Sequence, residues 1–517
     1  MLNPSREHTA LSATVLLMTA VMLSRVIGFL REAYIAWAFG AGRATDAYVA
    51  AFQIPDFLNY ILAGGTISTT FITIYSRFLA EKREEAAQKT FSVILTVMTT
   101  VLVVLVIVTE IFTPTLTALV FPHFDAAQQV LCVQMTRILL PAQVFFYVGG
   151  VVSAVLLSRR LFLIPSMTPL VYNLGIIAGG VALAGAAGIH ALAIGALVGA
   201  FLGPFLMNAV GARRTGIGFR PSFDIGDEAF RRWIRLTIPL MLGVSLVSAD
   251  DWIIRYFASA GAGDIARLNY AKRLFSVPMA VLGQAVGQAS LPFFARLFGE
   301  KRLTEFAASV NDSVYRISAA SFLASAWMMA TALPIIDLVY RRGHFDFSDS
   351  TTTGVYFFWF SISLAFWSAQ GLYSRGFYAA NDTLTPMIAC TAITVVSVPI
   401  YSALFRTLSV FGLAIASDIG IVANTVVLAL LLHRRGLVPL GGMRWRELGK
   451  ALLVATAAGA AGMTVARWLP LDGSRTADLV NVGVVSIVWA AVCAAGLLVL
   501  RSDLPRELRR RGATRTP

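Results

Sequence analysis

Charge is scarce in this chain. Of 517 residues only 14% are Asp, Glu, Lys or Arg, 57% are hydrophobic, and the mean hydropathy is +0.73. A soluble chain of this length carries nearer a quarter charged residues, so a water-soluble globular protein is excluded. Cysteine is scarcer still. Cys132, Cys390 and Cys493 lie far apart in apolar runs without metal-ligand spacing, and they read as small buried hydrophobes. The five histidines are scattered singly, with no HExxH pattern and no Cys/His cluster, so no metal site is expected. A phosphate-binding loop is lacking too: Gly449-Lys450 is followed by Ala451 where Ser or Thr is needed, so ATP hydrolysis is not expected; no cofactor is expected either. The first apolar stretch runs straight into SRVIGFLRE without a small-residue cleavage site, and it reads as a retained helix.

What the chain does have is long apolar runs. Hydropathy and loop signals divide it into fourteen segments, approximately 10–37, 46–74, 91–120, 130–157, 163–186, 188–211, 232–259, 268–295, 312–339, 354–378, 384–406, 410–433, 448–468 and 477–500. The net charge of +14 would suggest nucleic acid in a soluble protein, but most of the basic residues fall in short loops on one side. Lys82, Arg83 and Lys89, the stretch from Arg213 to Arg235, and the tail RELRRRGATR share that side; Arg43, Arg267, Arg341 and Arg342 are among the few opposite. The asymmetry predicts cytoplasmic N- and C-termini and a multi-pass protein of the membrane, with no nucleic-acid partner.

The chain also repeats itself. PDFLNYILAGGTISTTF, from Pro55 to Phe71, corresponds to PMAVLGQAVGQASLPFF, from Pro278 to Phe294. SRRLFLIPSMTP, ending at Pro169, corresponds to SRGFYAANDTLTP, ending at Pro386, at the same offset of about 220 residues. A six-helix unit repeated once returns the chain to the same side, so the halves are parallel. The expected class is an all-α polytopic membrane protein: two six-helix lobes plus two additional C-terminal helices. The expected divisions are 1–221, 222–440, the extra helices in 441–503, and a basic cytoplasmic tail over 504–517.

Two arginines interrupt the first apolar run, which extends from Leu11 to Phe39. An arginine at mid-membrane depth costs at least about 2.5–3.5 kcal/mol, so Arg25 and Arg31 point to a wet or charged interior. Glu32 lies seven residues from Arg25, on the same helical face, and Asp46 opens the second helix within reach of either cation. In the second half Asp250, Asp251 and Arg255 share helix seven, while Lys272 and Arg273 begin helix eight. Asp251 and Arg255 have the spacing of a helical ion pair, and Lys272 is near enough to a helix end to snorkel. Arginine suits phosphate because its planar fork donates two parallel bonds, so a diphosphate group fits such a cluster.

At these motifs the sequence resembles a known family. SRVIGFLREAYIAWAFGAGRATDAYVAAFQIPDFL is similar to the N-terminal signature of the MurJ/MviN family, the lipid II flippases of peptidoglycan synthesis. RLFSVPMAVLGQAVGQASLP, RRGHF and GFYAANDTLTP resemble three further signatures. The resemblance implies the multidrug/oligosaccharidyl-lipid/polysaccharide exporter superfamily fold. It also implies an undecaprenyl-diphosphate-linked sugar–peptide as substrate, moved across the bacterial inner membrane. By motif position Arg25, Arg31 and Arg273 match the diphosphate-binding arginines. Glu32, Asp46 and Lys272 fall at cavity or gating positions, and the last two helices match the pair associated with a lipid-tail groove. Two positions depart from the pattern: Gln53 stands where an arginine is usual and Gly64 where a glutamate is usual. Asp250, Asp251 and Arg255 form either a cation site or an ion-pair site, and the energy source is a coupling monovalent cation or the membrane potential. Enzymes of cell-wall synthesis are the protein partners implied. The rival readings are a divergent paralogue moving another polyprenyl-diphosphate glycan and a non-transporting cell-wall scaffold. A cation antiporter would need an acidic cavity, and a membrane glycosyltransferase would need a catalytic acid/base set.

Overall fold

The computed structural model describes residues 10–63, 71–241, 246–469 and 474–505. It forms two compact units, one ending at Val244 and the other beginning at Ser245.

The N-terminal unit runs α1 (Ala10–Phe39), α2 (Arg43–Ala51), α3 (Gln53–Ala63), α4 (Ile72–Ala80), α5 (Glu84–Val120), α6 (Ala126–Leu139), α7 (Ala142–Ser158), α8 (Leu163–Ala187), α9 (His190–Ala200), a π-helical turn over Phe201–Met207, α10 (Asn208–Arg214) and α11 (Glu228–Met241). The C-terminal unit runs α12 (Leu246–Ala258), α13 (Asp264–Met279), a second π-helical turn over Ala280–Ala285, α14 (Val286–Gly299), α15 (Leu303–Ala330), α16 (Ala332–Tyr340), α17 (Phe347–Ile362), α18 (Leu364–Ala379), α19 (Leu384–Leu408), α20 (Phe411–Arg434), α21 (Trp445–Trp468) and α22 (Arg475–Val499).

Among the described residues nine helical stretches are long and apolar enough to cross a membrane. The number is eleven if α15 with α16, bent by 66°, and α17 with α18, bent by 42°, each count as one span. The three other expected segments fall on α1, on the interrupted α2–α4 stretch, and on α11 with α12, which runs across residues outside the description. The last case matters for the division of the chain. The sequence reading opened the second lobe at residue 222, whereas α11 belongs to the N-terminal unit. Its apolar side explains why: Phe230 and Trp233 are fully buried in a core shared with Tyr75, Phe91 and Tyr147.

Small residues set the closest helix packing. Gly175 and Gly179 of α8 face Gly199 and Gly195 of α9, and a Cβ on Gly195 would lie 2.6 Å from the Gly175 carbonyl oxygen. Apolar side chains gain little by associating in lipid, so such four-residue glycine spacing brings backbones together for van der Waals contact. Gly195→Val is therefore expected to force the pair apart and destabilise by about 1–3 kcal/mol, the usual cost of overpacking. A lowered unfolding midpoint in detergent checks it.

The two additional helices dock on α15 by a related seam. Gly459 of α21 faces Ala326, and Gly462 faces Ala330. Two indoles complete the attachment: Trp489 Nε1 donates to the Leu323 carbonyl at 2.9 Å, and Trp327 Nε1 donates to Ser486 Oγ at 2.7 Å. The pair thereby belongs to the C-terminal unit.

Candidate functional site

In the N-terminal unit the charged residues of α1 divide by environment. Arg25 is exposed and makes no ion pair or hydrogen bond among the described residues. Arg31 is turned inward, its side chain only 14% exposed. Its Nη2 donates to Glu32 Oε1 at 2.5 Å and its Nη1 to Asn173 Oδ1 at 2.8 Å, while Nε is buried without a hydrogen-bond partner among the described residues. Asn173, on α8, is itself oriented by donating Nδ2 to the Pro169 carbonyl at 2.9 Å. Gly28 faces it from α1, where a Cβ would sit 3.9 Å from Asn173 Nδ2. Glu32 thus neutralises the arginine next to it in sequence rather than Arg25, about two turns away on its own face. Adjacent helical residues do not normally meet, and only the length of the arginine stem allows it.

Asp46 is completely buried in the first turn of α2, where a carboxylate is favoured by the helix N-terminus. Gln53 is buried at the start of α3, with its Oε1 unbonded among the described residues. Gly64 lies outside the described residues.

The C-terminal unit holds a denser polar cluster. Lys272 on α13 donates Nζ to Asp250 Oδ2 at 2.5 Å and to Asp251 Oδ1 at 2.7 Å, both on α12. Tyr401 of α19 donates to Asp250 Oδ1, and Ser417 of α20 donates to Asp250 Oδ2 at 3.1 Å. The Lys272 ammonium also stands 5.5 Å from the Phe360 ring centre, a cation–π contact. Lysine does not snorkel outward here; two carboxylates draw it in. Asp251 correspondingly pairs across to α13, and the expected pair with Arg255 does not form among the described residues. Arg255 acts on Asp251 only through space. A cavity of about 220 Å³ opens beside the cluster, lined by Asp250, Asp251, Arg255, Lys272 and the exposed Arg273.

Several residues here escaped the sequence reading. Asp418 of α20 is 9% exposed with Oδ1 unbonded among the described residues, and it is the one acid in an apolar helix. The rule that singled out Arg25 would have found it. Asp337, Asp478 and Asn481, all fully buried, are further cases.

Comparison with known proteins decides the family. The family model for the lipid II flippase MurJ matches residues 35–471. The chain belongs to the lipid II flippase MurJ family. A probable lipid II flippase MurJ of Rhizobium tropici is 27% identical over 500 residues, covering 93% of this chain and 92% of that protein. The lipid II flippase MurJ of Burkholderia cenocepacia is 28% identical over 428 residues, covering 80% and 82%. Among solved structures, a lipid II flippase MurJ in an inward closed conformation superposes with a TM-score of 0.78 at 20% identity, covering 94% of this chain and 99% of that one. An inward-facing MATE multidrug transporter of the MOP superfamily superposes with a TM-score of 0.65 at 15% identity, covering 81% and 98%. These two likenesses show the fold. Arg273 lies inside the stretch matched by the MurJ family model, whereas Arg25 and Arg31 precede it.

Proposed function

We propose that this protein is a flippase that carries lipid II from the cytoplasmic to the outer leaflet of the bacterial inner membrane by alternating access. The observation that carries this reading is the family match over residues 35–471. In this reading the chain crosses the membrane fourteen times with both termini in the cytoplasm, as the distribution of basic loops supports. It is a transporter and performs no bond chemistry on its cargo.

Arg25 and Arg273, each exposed on its own unit, supply guanidinium forks to the diphosphate. Arg31 joins them by exchanging Glu32 for substrate, which makes Glu32 its keeper between cycles. Transport requires two states of different affinity, since equal affinity shifts nothing. Asp250 and Asp251 already hold an internal ammonium, which favours the ion-pair reading of that cluster and the membrane potential as the driving force.

Gln53 supports a second reading, a paralogue moving another polyprenyl-diphosphate glycan. A buried neutral amide occupies the place of the family's usual arginine, and gating or substrate choice changes with it. Complementation separates the two. A strain depleted of its own lipid II flippase is expected to grow on this gene. Failure despite normal membrane insertion would transfer the assignment to the paralogue, and restoration by Gln53→Arg with Gly64→Glu would locate the cause.

A further inference from the structure

A second cavity lies in the N-terminal unit, lined by none of the candidate-site residues. It is an open groove of about 600 Å³ between α5, α7 and the end of the ninth-to-tenth helix stretch. Its walls are mainly apolar, with Val148, Val152 and Phe205 among them, and the exposed Arg213 also lines it. Two features hold it open. The π-helical turn over Phe201–Met207, built around Pro204, widens the backbone beside Phe205. The loop after α10 then bridges to α5: the backbone N–H of Arg220 donates to Ser92 Oγ at 3.2 Å and that of Ser222 to Thr96 Oγ1 at 3.1 Å, while Phe219 packs edge-on against Phe91.

Position along α5 shows what surrounds the groove. With about 1.5 Å of rise per residue, the lining residues Phe91 to Thr100 lie about 10–24 Å from the start of a helix about 55 Å long. The hydrocarbon core is only roughly 30 Å thick, so this depth runs from the headgroup boundary into the acyl region. Arg213, Arg214 and Arg220 are all exposed at that end.

We infer that this groove binds an anionic glycerophospholipid of the adjoining leaflet. The phosphate accepts from Arg213, and one acyl chain lies along Val148, Val152 and Phe205. A groove opening on lipid fills with hydrocarbon, and the exposed arginine selects the headgroup by charge.

Native mass spectrometry of the full-length protein in detergent, titrated with phosphatidylglycerol or phosphatidylcholine, tests the site without reading transport. The expected result is about tenfold stronger retention of phosphatidylglycerol, equivalent to about 1.4 kcal/mol. Arg213→Gln is expected to abolish that preference while leaving phosphatidylcholine retention unchanged. Ala209→Phe, which fills the groove, is expected to remove both. Undiminished phosphatidylglycerol preference in Arg213→Gln overturns the inference, as does displacement of phosphatidylglycerol by equimolar undecaprenyl phosphate. Should Ala209→Phe misfold by its unfolding midpoint, Arg213→Gln on the exposed rim decides alone.

Discussion

Lys272→Met is expected to destabilise the C-terminal unit by about 3–5 kcal/mol, because removing one partner of a buried pair leaves uncompensated charge. Here two carboxylates are stranded at once, and Asp250 is only 6% exposed. The partial exposure of Asp251 keeps the loss from being larger. Lys272→Met combined with Asp250→Asn is expected to recover most of the stability, since Tyr401 can still donate to the asparagine carbonyl oxygen while the Ser417 hydroxyl turns to accept from its amide. Unfolding midpoints in a double-mutant cycle measure the coupling. A single variant as stable as the parent would show that the ammonium is dispensable.

Arg25→Ala with Arg273→Ala is expected to reduce flipping about 100-fold or more while leaving the fold intact. Each lost charge-assisted hydrogen bond is worth about 1.5–3 kcal/mol, and both residues are exposed, so little packing is lost with them. Appearance of lipid II at the outer leaflet, beside growth of a depleted strain, gives the readout. Arg25→Lys should restore only part of the rate, because an ammonium lacks the planar fork. Full transport by the double alanine variant would favour a scaffold role. Arg31→Ala should behave differently: it removes a mostly buried guanidinium together with its bonds to Glu32 and Asn173, so instability precedes any transport defect.

Hydropathy was enough to locate α8, α19 and α20 to within a few residues, because each is a continuous apolar run bounded by turn residues. It was not enough at α11, where an amphipathic segment joins the preceding unit through Phe230 and Trp233. The charged residues themselves were legible, since a bilayer penalises each one. Their pairing was not. Helical spacing favoured Asp251 with Arg255, yet the partner lies 21 residues on, in the next helix. It likewise put Glu32 on the face of Arg25, while the longer reach of Arg31 took it. Such choices are made by tertiary approach, and local periodicity carries no record of it. Asp418 is the opposite case: one acid inside an apolar helix is a plain signal whatever its partners.

The attachment of the last two helices has a practical side. Both indoles that fasten them, Trp327 and Trp489, have their ring nitrogens committed to oxygen acceptors across the seam. Indole emission shifts when that nitrogen loses its acceptor or meets lipid, so intrinsic fluorescence doubles as an optical gauge of undocking. A chain stripped of its other tryptophans would report, without any label, whether the appendage stays seated throughout a transport cycle.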